Sequence, residues 1–527
     1  MESIRPVLIN GEWRKSSGTD TFQAINPLTR EPLEGCFPVS PWEEVEEALI
    51  AAEKAFVALR SVSNEDRAAF LNNYAARLEA RAEELVDTAS RETALPVEPR
   101  LKSVELPRTV NQLKLAANAA EKASWCLPTI DTQLNIRSMY SALGPVCVFG
   151  PNNFPFAFNG ISGGDFAAAI GAGNPVIAKA NPGHPDTSRL LAEEASAAAE
   201  ATGMPRGIVQ LLYRFSHEDG SRLAAHPLLG AIGYTGAKSP GLKLKQAADT
   251  VGTPAYLELS SINPVVILPG ALKERANEII SEFSTSCLMG TGQFCTNPGL
   301  ILLLAGQESD HFISEVQSKF DQAPVGTLLG PNVESQLLSG IECLKSAGAE
   351  VLAGGTSDGS KGCCVQNTLM KVTGRQFLKE SELLQTEAFG NQSLVVIADD
   401  LEELRAVLSC MEGNLTGCIY SSTEGADEDH YNQIEPIIRR RVGRLLNDKM
   451  PTGVAVSEAM NHGGPFPATG HSGFTAVGIP ASLIRFSALQ CYDAVRSSRL
   501  PVVLQDTNPT GKTWRRIDGE WTLKDIG

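Results

Sequence analysis

The segment Gly290-Thr291-Gly292-Gln293-Phe294-Cys295-Thr296-Asn297-Pro298-Gly299 sets one thiol among polar residues, between glycines that permit close backbone approach. A thiol so placed attacks a carbonyl carbon, provided that an exposed N–H steadies the oxyanion and a base lies within reach. The candidate base is Glu258 in Leu257-Glu258-Leu259-Ser260-Ser261, an acid that interrupts the end of an apolar run. Asn153, in Phe149-Gly150-Pro151-Asn152-Asn153-Phe154-Pro155, carries an amide able to donate to an oxyanion. Each has an ordinary alternative: a structural thiol, a surface or capping acid, and plain turn chemistry.

These residues need a rigid frame. From Gly144 onward, β-branched runs at 146–149, 176–179, 208–212, 231–234 and 256–259 alternate with Ala-rich helical stretches, such as 186–202 stopped by Gly203 and Pro205. That alternation predicts a doubly wound parallel sheet, with Asn153 and Glu258 at strand C-terminal ends, where ligands sit in open α/β folds. A second α/β series has strands at 265–268, 300–304, 351–352 and 394–397 and a helix over 401–408. Upstream, Ser40 and Glu43 form a capping-box pattern ahead of Val45, Leu49, Ala52 and Phe56. A second helix runs from about Ser63, with Phe70, Tyr74, Leu78 and Leu85 inward and Arg77 and Arg81 on a wet face. Residues 129–142 read as a hairpin arm interrupting the first unit. The loop 354–362 reads as a polar, exposed tip.

The 527 residues include 45 Lys+Arg and 61 Asp+Glu, a net charge of −16. That field disfavours nucleic acid and anionic membrane surfaces as partners. No apolar run reaches the roughly 18 residues that a spanning helix needs, and Met1-Glu2-Ser3-Ile4-Arg5-Pro6 does not open like a leader. Eleven scattered cysteines fit reduced thiols in a cytoplasmic compartment. The vicinal Cys363 and Cys364 read as loop cysteines, and with seven dispersed His residues the sequence offers no metal site.

A dinucleotide is the ligand that a parallel sheet first suggests, yet G-x-G-x-x-G and phosphate-loop motifs are absent. Gly236 and Gly241, after a strand and before a helical segment at 242–248, can instead let main-chain N–H groups approach a pyrophosphate, or simply make a strand-to-helix turn.

Taken together and in this order, these segments resemble the aldehyde dehydrogenase family, from about Leu8 to the C-terminus. Gly144-Pro145-Val146, Asn153-Phe154-Pro155, Gly163-Gly164-Asp165, Gly173-Asn174-Pro175 and Asn461-His462-Gly463-Gly464-Pro465-Phe466-Pro467-Ala468-Thr469 look most like its branch of 2-oxoglutarate semialdehyde and NADP-linked fatty aldehyde dehydrogenases. The resemblance implies that Cys295 attacks the aldehyde, that Asn153 and the Cys295 N–H bind the oxyanion, and that Glu258 activates the water that hydrolyses a thioester. It also implies Glu387 and Phe389 at the nicotinamide ribose, Lys179 at the adenosine ribose, and Phe154 beside the substrate. Because the family mechanism needs no imidazole, His462 and His471 read as loop or packing histidines.

The family's NAD-preferring members often carry an acid three residues after that lysine. Pro182 stands there in this chain, so NADP is expected, with NAD possible and Arg214 as a second cation. Ala237 replaces a common hydroxyl residue after Gly236, and 469–474 lacks the acid and arginine of close relatives. Arg108 is placed to hold a substrate carboxylate, or to form a structural ion pair. The expected reaction is oxidation of 2,5-dioxopentanoate to 2-oxoglutarate. Medium or long aliphatic aldehydes are the alternative substrates, and a Cys-dependent thioesterase or esterase without redox chemistry is the alternative class.

The implied fold is α/β: a cofactor domain over 1–127 and 144–260, a catalytic domain over 261–450, and a return segment over 451–483. An oligomerisation arm over 128–143 and 484–527, with a C-terminal strand near 496–504, suggests a homodimer or a dimer of dimers.

Overall fold

A computed structural model describes residues 4–526; Met1–Ser3, on which part of the leader reading rests, and Gly527 lie outside it. Apolar strands pair where the runs fall. The first sheet has the order Ala255–Glu258, Ala231–Thr235, Val146–Phe149, Val176–Lys179, Val209–Leu212, then the hairpin Val7–Ile9 and Glu12–Arg14. Its first five strands are parallel, and the hairpin joins them through Val7–Ile9, antiparallel to Val209–Leu212. Register aligns Phe149 with Lys179, Lys179 with Leu212, and Thr235 with Glu258, so these residues crowd one edge of the sheet. The strand order reverses beside Val146–Phe149, where a doubly wound sheet opens a crevice.

The second sheet has the order Glu350–Ala353, Thr368–Thr373, Gln392–Ala398, Leu300–Leu304, Pro264–Ile267, Asn414–Tyr420, Val442–Asn447, parallel except for its first strand. Alternate residues face separate cores: Val265, Ile267, Ile301 and Leu303 pack on the helices Pro269–Leu288 and Gln307–Gln322, whereas Val266, Leu300 and Leu302 join the larger core. Burial on both faces is why these strands are near-continuous in apolar residues. A third sheet pairs Ser487–Asp493 along the whole of Ile136–Ala142, then adds Thr129–Asp131 and the hairpin Arg515–Ile517 and Glu520–Thr522.

Several expectations need correction. Ser40 does not cap: its N–H donates to the Arg214 carbonyl at 2.7 Å, which ties it to the sheet edge, and the helix Trp42–Leu59 starts after Pro41. Ser63 does cap its helix, accepting from the Asp66 N–H at 3.0 Å. The face carrying Arg77 and Arg81 is not merely wet, because both reach Glu194, and Arg81 also reaches Glu84 and Glu193. Leu85 belongs to a separate helix, Ala82–Thr93. The residues near 496–504 form two short 3₁₀ turns, where Pro501 offers no ladder donor; the arm's strand partner is Ser487–Asp493. The strands Thr368–Thr373, Asn414–Tyr420 and Val442–Asn447 went unread.

The chain crosses between the two large sheets over residues 259–263. Asn263, in the left-handed region at φ 49, donates through Nδ2 to the carbonyls of Cys295 (2.9 Å) and Asn297 (2.8 Å) and accepts at Oδ1 from the Thr416 hydroxyl (2.9 Å). Asn414 Oδ1 accepts from the N–H groups of Ile262 (2.9 Å) and Asn263 (3.1 Å). Replacing the donor amide by a carboxylate leaves two buried carbonyls unpaired, so Asn263→Asp should cost about 3 kcal/mol. The denaturation midpoint should fall clearly; an unchanged midpoint would show that the crossing does not hold the Cys295 loop.

Candidate active site

The Cys295 loop is built by a run of left-handed backbone. Gly290 (φ 56), Thr291 (φ 58) and Gly292 (φ 66) follow the helix Pro269–Leu288 and turn the chain back across the sheet. At Gly292 a Cβ would lie 2.1 Å from the Gly390 carbonyl oxygen, so only glycine lets this loop meet the segment before Gln392–Ala398. Cys295 therefore precedes the strand Leu300–Leu304 at the N-terminal edge of the second sheet, facing the C-terminal edge of the first.

At that meeting the thiol is not alone. Cys295 Sγ lies 3.3 Å from His462 Nε2, and the same nitrogen lies 3.0 Å from Glu258 Oε1. His462 and Glu258 are both buried, and the second carboxylate oxygen, Glu258 Oε2, has no hydrogen-bond partner. His462 packs edge-on to Phe158, as expected of a packing histidine, and its imidazole also sits between Cys295 and Glu258, a contact the sequence did not announce. His471 is likewise a packing residue, edge-on to Tyr256 with ring centres 4.9 Å apart. Burial pushes the Cys295 thiol well above its usual range, Glu258 adds to the effect, and Arg108 opposes it. The resting thiol is thus neutral at physiological pH and needs a base to become a nucleophile.

Asn153 is buried, and its Nδ2 donates to the Gln293 carbonyl at 3.0 Å, which leaves the second amide hydrogen for another acceptor. The Cys295 N–H donates to no group among the described residues. Two donors are therefore open at the Cys295 loop, the Cys295 N–H and the second Asn153 amide hydrogen. Behind Asn153, the buried Glu105 carboxylate accepts from the N–H groups of Phe156 (2.8 Å) and Ala157 (3.0 Å) and pairs with Arg100, which itself donates to the Asn153 carbonyl at 2.9 Å. This support was not read from the sequence, because nothing local marks Arg100 or Glu105 as partners of residues 153–157.

The approach to the thiol is aromatic and cationic. Phe154 packs on Phe158 (5.1 Å) and Phe294 (5.6 Å), with Arg100 over its ring at 4.4 Å. Arg108, on the helix Leu106–Lys122, donates from Nη1 to the Val454 carbonyl at 2.7 Å. Its guanidinium lies over the Phe158 and Phe154 rings (5.5 and 5.9 Å), and its Nε and Nη2 are buried with no hydrogen-bond partner among the described residues. The structural ion pair considered for this residue does not form with any described residue.

The residues expected to hold a cofactor fall in two groups, Lys179 with Arg214 at the first sheet, and Glu387 with Phe389 close to Cys295 and Glu258. Lys179 ends its strand and Arg214 follows the end of the adjacent one, Val209–Leu212, and neither has a carboxylate partner among the described residues; burial and Arg214 push Lys179 down to about 8. Two cations held together this way fit a phosphate. Glu387 and Phe389 line a narrow cleft with Gly292, Phe294 and Ser261. Burial pushes Glu387 up to about 7, against hydrogen bonds from the Ser261 N–H and the Ser260 hydroxyl. Gly241 departs from expectation: the helix Lys238–Asp249 already includes it, and a Cβ there would meet Leu259 at 2.6 Å and Tyr234 at 2.8 Å. Its smallness serves helix-on-strand packing. Gly236 stands just before that helix, its N–H bonded to the Glu258 carbonyl at 3.1 Å.

Comparison with known proteins agrees with this architecture. The aldehyde dehydrogenase family profile matches residues 13–486. Alpha-ketoglutaric semialdehyde dehydrogenase 2 of Azospirillum brasilense is 37% identical over 97% of this chain and 98% of its own. An alpha-ketoglutaric semialdehyde dehydrogenase of Acinetobacter baylyi is 34% identical over 98% of each. Among solved structures, a putative aldehyde dehydrogenase from Burkholderia cenocepacia superposes with a TM-score of 0.79 at 20% identity, covering 95% of this chain and 99% of that one. An NAD+ complex of aldehyde dehydrogenase from Bacillus cereus gives 0.78 at 20% identity, covering 94% and 97%. The chain belongs to the aldehyde dehydrogenase family, and so to the aldehyde-oxidising oxidoreductases that use nicotinamide cofactors.

Proposed function

We propose that this enzyme oxidises 2,5-dioxopentanoate, the semialdehyde of 2-oxoglutarate, to 2-oxoglutarate, with NADP preferred. The observation that carries the substrate is Arg108, whose charge acts on Cys295 and whose buried Nε and Nη2 have no hydrogen-bond partner among the described residues. A buried guanidinium edge with free donors calls for a carboxylate, which it binds in bidentate fashion. The two relatives named above carry the same substrate in their names. The Phe154, Phe158 and Phe294 surface favours an aliphatic aldehyde as the second reading. An alkyl chain, however, would leave the Arg108 donors unpaired and desolvated, a cost of about 1–3 kcal/mol or more.

In this reading His462 Nε2 takes the Cys295 proton as Sγ adds to the aldehyde carbon. The growing oxyanion accepts from the Cys295 N–H and from Asn153 Nδ2. Lys179 and Arg214 would hold a 2′-phosphate, and Glu387 the nicotinamide ribose. A nicotinamide held there would supply the hydride acceptor needed to take the thiohemiacetal on Cys295 to a thioester. Glu258, through its free Oε2, then takes a proton from the hydrolytic water, and His462 returns a proton to the departing sulfur. With both neighbours on one nitrogen, His462 serves Cys295 and Glu258 in turn.

The edge strand Ser487–Asp493, which pairs only with Ile136–Ala142 among the described residues, leaves one side open to a second copy and so supports a homodimer or a dimer of dimers. All eleven cysteines are free thiols, which supports the cytoplasm as the working compartment; no helix among the described residues is long and apolar enough to cross a membrane.

Arg108→Ala should lower kcat/KM for 2,5-dioxopentanoate by about 100-fold, mostly through KM, while hexanal changes by less than about threefold. Equal losses on both substrates would refute the carboxylate assignment. Cofactor choice has a separate signature. The Lys179 ammonium is lost as pH rises through about 8, so KM for NADP should climb above that pH, by at most about tenfold per unit, while KM for NAD stays level. Parallel profiles for the two cofactors would contradict a lysine-held phosphate.

A further inference from the structure

Glu258, Cys295 and His462 offer one thiol sulfur, one imidazole nitrogen and one carboxylate oxygen, all within 4.8 Å of one another. The three come from distant parts of the chain, with His462 167 residues from Cys295 and 204 from Glu258, so no ligand spacing in the sequence announces them. Two of the donor pairs already lie near the distances of a metal polyhedron. With bonds of about 2.3 Å to sulfur, 2.0–2.1 Å to nitrogen and 2.0–2.2 Å to oxygen, a tetrahedral ion needs S–N and N–O edges of about 3.6 and 3.4 Å. The observed 3.3 and 3.0 Å are short of these by a few tenths of an ångström. The buried and unpartnered Glu258 Oε2 is a further oxygen available to a cation without displacing any hydrogen bond.

We infer that Cys295, His462 and Glu258 form an inhibitory Zn²⁺ site, closed to catalysis while the ion is bound. A thiolate, imidazole and carboxylate together suit a borderline-soft ion, whereas Mg²⁺ and Ca²⁺ prefer all-oxygen shells. The thiolate and carboxylate neutralise the ion's two charges. Arg108 and Arg444, whose charges act on Cys295, oppose it and keep the site weaker than a closed four-ligand structural centre. On binding, the Cys295 S–H bond breaks, its electron pair forms the S–Zn bond, and the proton leaves to solvent. Solvent completes the fourth position. The sulfur then cannot add to an aldehyde, and the imidazole lone pair cannot accept its proton. This inference rests on the proposed catalytic roles only for the loss of turnover; the binding itself does not depend on them.

Equilibrium dialysis of the reduced, nucleotide-free full-length enzyme against Zn²⁺ tests it without substrate. Wild type should hold one more ion per subunit than Cys295→Ser, with micromolar or tighter affinity. His462→Gln should weaken that ion by more than the roughly 10–100-fold typical of losing an outer-sphere partner. Cys363→Ser should bind like wild type. Co²⁺ in the wild-type site should show thiolate-to-metal charge-transfer absorption that Cys295→Ser lacks, a readout that does not require either variant to be active. Zn²⁺ should abolish aldehyde oxidation, EDTA should restore it, and excess Mg²⁺ should protect nothing. Equal Zn²⁺ content in wild type and Cys295→Ser, or a Co²⁺ spectrum that survives the substitution, would overturn the site. Failure to oxidise 2,5-dioxopentanoate alongside normal metal binding would instead count against the proposed substrate alone.

Discussion

The polar clamp on residues 259–263 is the constraint on which the rest depends. One sheet ends at Glu258 and the next begins at Pro264, so the carboxylate and the nucleophile loop belong to separately packed layers. Asn263 and Asn414 join them by main-chain hydrogen bonds in a buried setting, where an unmade bond is costly. The left-handed turn at Asn263 makes the crossing short, and Gly292 lets the Cys295 loop sit directly on the Gly390 segment. The reacting atoms thereby meet at the junction of two rigid sheets, and tenths of an ångström are set by packing.

The electrostatics of the site follow from its burial. A thiol pushed up by desolvation and by a neighbouring carboxylate is inert until a base takes its proton, and the imidazole at 3.3 Å stands in that position. A single ring nitrogen has one proton or one lone pair, so it engages Cys295 or Glu258 but not both fully. The unmatched groups, Glu258 Oε2 and Arg108 Nε and Nη2, are costs to the folded protein that a hydrolytic water and a substrate carboxylate would relieve. Polar groups left without partners in a buried pocket would favour a ligand that pairs them, because one that cannot pair them gains little by entering.

Much of this frame was legible from residue order. Strands that are apolar on both faces, such as Leu300–Leu304 and Val176–Lys179, stand out because nothing but a covered parallel sheet accommodates them. Cys295 stood out through its glycines. The strands Asn414–Tyr420 and Val442–Asn447 did not, because polar residues and glycine interrupt their apolar pattern. Ser40 misled, since a capping box is a local signal and the contact that won is the long-range bond to Arg214. The contacts of His462 were hidden for the same reason: both Cys295 and Glu258 are far away in sequence, and nothing within Asn461-His462-Gly463-Gly464 announces them.

The central claim is that His462 and Glu258 act on Cys295 at different steps through a shared nitrogen. Rapid-mixing kinetics separate those steps, since reduced cofactor forms with acylation and steady turnover reports thioester hydrolysis. The account predicts that Glu258→Gln keeps a near-stoichiometric burst followed by slow turnover, whereas His462→Gln slows the burst itself by about 100-fold or more. A burst of unchanged rate in His462→Gln, or its disappearance in Glu258→Gln, would contradict the division of labour.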